Sequence, residues 1–261
     1  MNTPSPQLLY YDIAPGVTAF STTRHGGVSH GAYGELNINA YCGDDEGHVA
    51  RNRELLAKKL GLPPTQLIVP HQTHGVETLV VDNDFLALPA ERRALALEGV
   101  DAVMTHCQSV CVGVSTADCI PVLIYDETHH VVAAAHAGWR GTVDRIVTAT
   151  LERMATRYGT RPQDVRAVVG PGISVRNFEV GQEVYDAFRL AGHDMGRIAK
   201  RYGKWHIDLP LCNKLQMESW GVPAENVTMS GICTYEAEAD WFSARRLGIA
   251  SGRIYNGLIL R

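Results

Sequence analysis

A cysteine and a histidine bracket an apolar stretch of this chain, Thr116 to Gly141. Asp118-Cys119 opens a first apolar run, Ile120 to Tyr125, and after a short polar break a second run, Val131 to Ala135, ends at His136. Two β-runs joined by a tight polar turn predict a hairpin or neighbouring strands. An antiparallel pairing brings Cys119 and His136 to the same end. A soft thiolate beside an imidazole permits a metal site, or a cysteine nucleophile served by a histidine base. Two further imidazoles sit in Pro70-His71-Gln72-Thr73-His74-Gly75, between predicted strands Leu67–Val69 and Val76–Val81. Cys119, His136 and either His71 or His74 would supply one sulfur and two nitrogens. Three protein ligands with a fourth position left for water is the pattern of a catalytic zinc, which lowers that water's pKa toward about 7. Spacing alone chooses neither between the two histidines nor between metal and nucleophile. Asp118 is placed to orient a ligand, to shuttle a proton or simply to hold the turn.

The elements that must position these residues are legible from periodicity. Asp101–Thr105, Val110–Ser115, Ile120–Tyr125 and Val131–Ala135 are successive strand candidates, several continuously apolar, as expected of strands covered on both faces. Further strands are predicted at Val17–Thr23, Val165–Val169, Trp205–Leu209, Asn226–Met229 and Arg253–Leu260. Helical spacing predicts helices over Gly47–Leu60, Glu91–Leu97, Thr142–Tyr158, Phe178–Leu190 and Pro210–Trp220. His136-Ala137-Gly138-Trp139-Arg140-Gly141 then forms a strand-to-helix junction, where free backbone N–H groups and Arg140 could hold a phosphate or carboxylate. Arg24 enters a glycine-rich loop after Thr23 and could clamp an anion, or the segment could be a plain surface loop. Cys107 and Cys111 resemble half a zinc site, but no second pair follows, so burial is the better reading. The fold expected is α/β (α+β mixed): a single domain over 1–261, of mixed β-sheets flanked by helices.

Composition narrows the function classes. The 261 residues are 45% apolar and 20% charged, with a formal net charge of −4 and no cluster of basic residues. A nucleic-acid or anionic-membrane surface therefore has no electrostatic support. No secretory signal or membrane-spanning segment can be placed, so a cytoplasmic location is the expectation. Six cysteines in a chain of this size do not make a disulfide scaffold.

Several motifs occur together: His71-Gln72-Thr73-His74-Gly75, Ala117-Asp118-Cys119-Ile120-Pro121, His136-Ala137-Gly138-Trp139-Arg140-Gly141 and Gly170-Pro171-Gly172-Ile173. With Asn52-Arg53, Cys233-Thr234 and Phe242-Ser243-Ala244-Arg245-Arg246, they resemble the YfiH/laccase-domain family over almost the whole chain. Members have been described as multicopper polyphenol oxidases, peptidoglycan-editing factors and purine nucleoside phosphorylases. The resemblance implies a zinc site of His74, Cys119 and His136, which would also be the catalytic centre, leaving His71 as an extra imidazole. It places Arg24, Asn37, Arg53 and Arg140 at substrate or phosphate. The activity implied is phosphorolysis of inosine, adenosine and methylthioadenosine, with deamination of adenosine, so the partners expected are a purine nucleoside and phosphate.

Copper oxidation fits the residues less well. A multicopper cluster draws on many histidines, commonly in His-x-His pairs, and none of the eleven histidines forms such a pair. A single copper in the Cys/His/His site is permitted, because N/S donors bind copper more tightly than zinc. The same residues also permit a Cys119/His136 cysteine hydrolase acting on peptidoglycan precursors, or a nucleoside-binding module without turnover. The chain departs from the family at Ser174-Val175-Arg176-Asn177-Phe178, where relatives often carry cysteines, so no role of those thiols transfers.

Overall fold

Strand β1 (Leu8–Tyr11) opens the structure and pairs antiparallel with β2 (Val17–Thr22). The computed structural model describes residues 4–261. Helix α1 (Glu46–Leu60) follows; the Asp45 carboxylate caps it by accepting from His48 N–H, and Gly61 ends it at φ +69°. Next come β3 (Leu67–Ile68), β4 (Thr78–Val80) and two short helices, α2 (Asn83–Ala87) and α3 (Ala90–Ala96). The central run is β5 (Ala102–Thr105), β6 (Cys111–Thr116), β7 (Ile120–Asp126) and β8 (Val131–Ala137). Helices α4 (Trp139–Val143) and α5 (Ile146–Tyr158) lead to β9 (Val165–Val169). Then β10 (Glu179–Val180), α6 (Gln182–Leu190), α7 (Met195–Ile198), β11 (Ala199–Tyr202) and β12 (Lys204–Ile207) form a peripheral unit. The last elements are α8 (Leu209–Trp220), β13 (Val227–Met229), α9 (Ala244–Leu247) and β14 (Ile254–Leu260).

Two mixed sheets stack face to face. One has the order β1-β2-β14-β6-β3 and the other β13-β9-β7-β8-β5-β4; a small sheet, β10-β12-β11, lies apart. Strand alternation explains how the layers meet. Ile120, Val122 and Ile124 of β7 pack in the core that includes Val147 and Leu151 of α5. Leu123 and Tyr125 pack in the inter-sheet core with Val112, Val114 and Leu258. A third core joins Leu56 and Leu60 of α1 to Phe20 and Tyr255 on the outer face of the first sheet. The layers therefore run helix, sheet, sheet, helix, and the central strands are buried on both faces. This is the mixed α/β fold expected, with no helix long and apolar enough to cross a membrane among the described residues.

Three predicted elements differ. The helix expected over 142–158 begins at Trp139 and breaks at Arg145, whose φ of +62° ends α4 and starts α5 afresh. The junction after His136 thus faces one short turn, with a dipole smaller than a continuous helix would give. The helix expected from Phe178 begins at Gln182, because Glu179 and Val180 pair with β12. Of the four successive strands, β6 leaves its neighbours and pairs with β14 in the opposite sheet, an exchange between two equally apolar faces that periodicity does not register.

Candidate metal and substrate site

The β7–β8 hairpin pairs Ile120 with Ala137 and Pro121 with His136, so Cys119 and His136 meet at one end of the sheet. By alternation His136 shares the face of Val132 and Ala134. The loop between β3 and β4 brings His74 to the same point. Donor atoms of His74, Cys119 and His136 all lie within 4.8 Å of one another, with Cys119 Sγ 3.8 Å from His74 Nε2. His136 is buried, Cys119 half-buried and His74 exposed. One soft sulfur and two imidazole nitrogens on three separate segments form the donor set of a three-ligand transition-metal site. Gly138 is required here by space rather than by dihedral. A Cβ at this position would come 2.7 Å from His74 Cδ2 and 3.1 Å from Cys119 Sγ, forcing the ligands apart.

Asp101, at the head of β5, organises the cluster. Its Oδ1 lies 2.7 Å from His136 Nδ1 and accepts from His74 N–H at 3.0 Å; its Oδ2 accepts from the N–H groups of Gly75 (2.7 Å) and Thr73 (3.1 Å). With Nδ1–H donated to the carboxylate, the Nε2 lone pair of His136 faces the other ligands. The three loop N–H bonds hold His74 at φ +67°, a left-handed conformation that costs a non-glycine residue on the order of 1–3 kcal/mol. Burial disfavours the Asp101 charge, but His136 and the backbone donors outweigh it and hold the carboxyl below the usual range. Gln72 is a second brace: its amide donates to Ser115 C=O (2.8 Å) and accepts from Ser115 N–H (2.7 Å), tying the loop to β6. Asp118, also left-handed at φ +82°, accepts from Thr234 Oγ1 and Arg245 N–H, both at 2.7 Å. It holds the cysteine turn against the C-terminal segment.

The thiol is tuned by these neighbours. Burial by itself would push Cys119 up, but the charge and hydrogen bonds of His136 and His74 reverse this and bring it down to about 6, while His136 is raised by the thiolate and Asp101. Cys111 and Cys212 are pushed up to about 12 by burial, which outweighs the opposing charges of Arg261 and Arg145. A lowered thiol pKa means the thiolate persists at neutral pH and is lost as pH falls through about 6. In chelated, metal-free protein, iodoacetamide should therefore label Cys119 ahead of Cys111 and Cys212, with a rate half its plateau near pH 6. Peptide mapping across pH 4–9 checks this, and a midpoint near an ordinary thiol's, about 8.5, contradicts the geometry.

A cleft of about 550 Å³ opens over the cluster, lined also by Asn39, Tyr41, His71, Ala117, Ile249 and Arg253. None of the four residues expected to bind substrate lines it. Arg24 donates to the carbonyls of Gly34 and Glu238, Asn37 is buried against Asp44 and Cys42, and Arg53 donates to Ile38 C=O. Asn37 and Arg53 thus brace the segment that carries Asn39 and Tyr41. Arg140 is exposed and stacks on Trp139, 4.3 Å above the ring. The cation that does line the cleft, Arg253, is one that motif reading passed over; its guanidinium donates to the carbonyls of Ile249, Ser251 and Gly252 and so shapes the opposite wall. His71 lines the cleft but lies outside the donor cluster.

Residues 18–261 match the family model described as multi-copper polyphenol oxidoreductase laccase. The chain belongs to this laccase-like family. Within the family it is 46% identical, over 94% of this chain and 92% of the relative, to a protein of Bacteroides thetaiotaomicron named purine nucleoside phosphorylase. It is 43% identical, over 93% and 94%, to a protein of an unknown prokaryotic organism named adenosine deaminase RL5. The crystal structure of the Bacillus licheniformis hypothetical protein YfiH superposes with a TM-score of 0.92 at 28% identity, covering 100% of this chain and 98% of that one. The laccase-like family thus spans relatives whose names give different reactions, which returns the question to the cleft.

Proposed function

We propose that this protein is a zinc-dependent purine nucleoside phosphorylase acting on inosine, adenosine and methylthioadenosine, with adenosine deaminase activity in the same cleft. The observation that carries the reading is one cluster of three donors, His74, Cys119 and His136, lining a cleft of about 550 Å³, a size suited to a small organic ligand. The names of the two relatives supply the substrate class. Zinc held there supplies Lewis-acid chemistry, polarising a substrate atom or acidifying water. The chain's own residues do the rest. Asp101 keeps His136 in the tautomer that offers Nε2, and Asp118 and Gln72 fix the turns that carry the donors. Asn37 and Arg53 contribute to substrate binding through the wall they hold, and Arg24 by shaping the preceding loop. Arg253 adds positive charge to the lining, which favours an anionic co-substrate.

The family's description gives a second reading, copper-dependent oxidation of phenols by the same donors. A multinuclear copper centre draws on more imidazoles than this cluster holds, and among the described residues it is the one group of three or more such donors. A single copper in place of zinc fits the donor set. The deciding assay incubates zinc-loaded protein with adenosine and phosphate. Adenine is expected from phosphorolysis, inosine from deamination, and hypoxanthine from both in sequence. Nucleoside left intact, with a copper-loaded sample oxidising a phenol, would establish the second reading; nucleoside bound but never converted would make the protein a binding module.

A further inference from the structure

A second imidazole in the cleft is held by its own carboxylate, away from the donor cluster. His71 Nδ1 lies 2.7 Å from Glu98 Oε2. The ring stacks on Tyr41, centroids 4.0 Å apart and planes within 14°. Backbone bonds fix both partners: His71 N–H donates to Leu97 C=O and Gly99 N–H donates to His71 C=O, each at 3.0 Å. Position and tilt of the imidazole are thus set by a backbone bridge, a ring face and a carboxylate together. Among the described residues no protein group bonds Nε2. A loosely held surface pair needs none of this, and His71 lines the cleft.

Phosphorolysis requires a proton donor that the three-donor cluster does not supply. When the bond between the sugar C1′ and the purine N9 breaks, its electron pair moves onto the base, which leaves far more readily as a neutral purine than as an anion. We infer that His71 is the general acid for this step, a catalytic residue, and that Glu98 is its positioning residue. The inference rests on the phosphorolysis reading. A phosphate oxygen forms the new bond to C1′ as the N9–C1′ bond breaks, and the Nε2 proton of His71 passes to a ring nitrogen of the departing purine. Hydrogen phosphate sheds its own proton on becoming the sugar phosphate ester, and that proton restores the imidazolium, so atoms and charge balance. The Glu98 carboxylate accepts from Nδ1–H and so fixes the orientation in which Nε2 meets the leaving base. The other titratable or charged groups lining the cleft beside this ring are Tyr41, Cys42, His74, Cys119, His136 and Arg253.

The test uses zinc-loaded protein with inosine and inorganic phosphate, since inosine has no amino group and deamination cannot contribute. His71→Gln should lower kcat about 100-fold, the lower range for a lost general acid, while zinc content holds and KM changes little. With N7-methylated inosine, whose cationic base departs without needing a proton, His71→Gln should turn over close to the native rate. Glu98→Gln should lower kcat on inosine less than His71→Gln does, because the amide oxygen can still accept from Nδ1–H and hold the ring. The proposal is overturned if His71→Gln loses zinc in step with activity, raises KM alone, slows the N7-methylated substrate as much as inosine, or turns over inosine normally. Absence of hypoxanthine from the native protein would instead defeat the phosphorolysis reading, and this inference with it, before any variant is compared.

Discussion

Cys119→Ala is expected to lower bound zinc from about one per chain, the stoichiometry of a three-ligand site, to a small fraction of that. Nucleoside turnover should fall about 10³-fold. Removal of the sulfur leaves two imidazoles, and the surviving pair has no anionic donor to offset the metal's charge. The magnitude follows from the several kcal/mol that a metal contributes to charge stabilisation in a transition state, at about 1.4 kcal/mol per tenfold in rate. Elemental analysis and kinetics on one preparation separate the two explanations of this residue. Zinc and activity lost together identify a ligand. Zinc retained with activity gone would make Cys119 the nucleophile, with His136 as its base, and return the cysteine hydrolase as the better account.

Asp101→Ala should be the most damaging change outside the cluster. The carboxylate is buried and accepts three loop N–H groups and the His136 Nδ1–H. Truncation leaves these donors without a partner, and breaking a buried charged network of this kind costs about 3–5 kcal/mol. It also frees His136 to adopt the wrong tautomer and releases His74 from its left-handed backbone, so metal affinity should fall by about 10–100-fold. Asp101→Asn separates the two effects. It keeps the volume and one acceptor oxygen, so it should recover much of the stability while the weakened metal affinity persists. Thermal unfolding with and without zinc, alongside a competition titration with a chelator, measures both. An unchanged affinity in Asp101→Asn would show that the carboxylate serves the fold alone.

The parts of this site that were legible in the sequence share a local cause. Ile120–Tyr125 and Val131–Ala135 announced two buried strands, the break between them a turn, and the pairing of a hairpin set Cys119 beside His136. The motif resemblance then chose His74 over His71. Asp101 looked like the first residue of a strand and nothing more, because its partners are 26 to 35 residues away and leave no periodic trace. Arg253 and Ile249 reach the cleft wall only because the C-terminal strand β14 lies between β2 and β6. Arg24, Asn37 and Arg53 illustrate the converse. The resemblance placed them at the substrate, and the structure gives each backbone or side-chain partners that no motif announces.

The sequence by itself determined that Cys119 and His136 share one sheet end. The reason is that period-two alternation and a short turn leave a hairpin few registers. Only the tertiary structure decided what surrounds them: the carboxylate behind His136, the amide clamp of Gln72, the arginine in the wall and the braced imidazole of His71. Those contacts depend on the stacking of two sheets, and stacking is driven by apolar area, which is non-directional and specifies no single partner for a polar side chain.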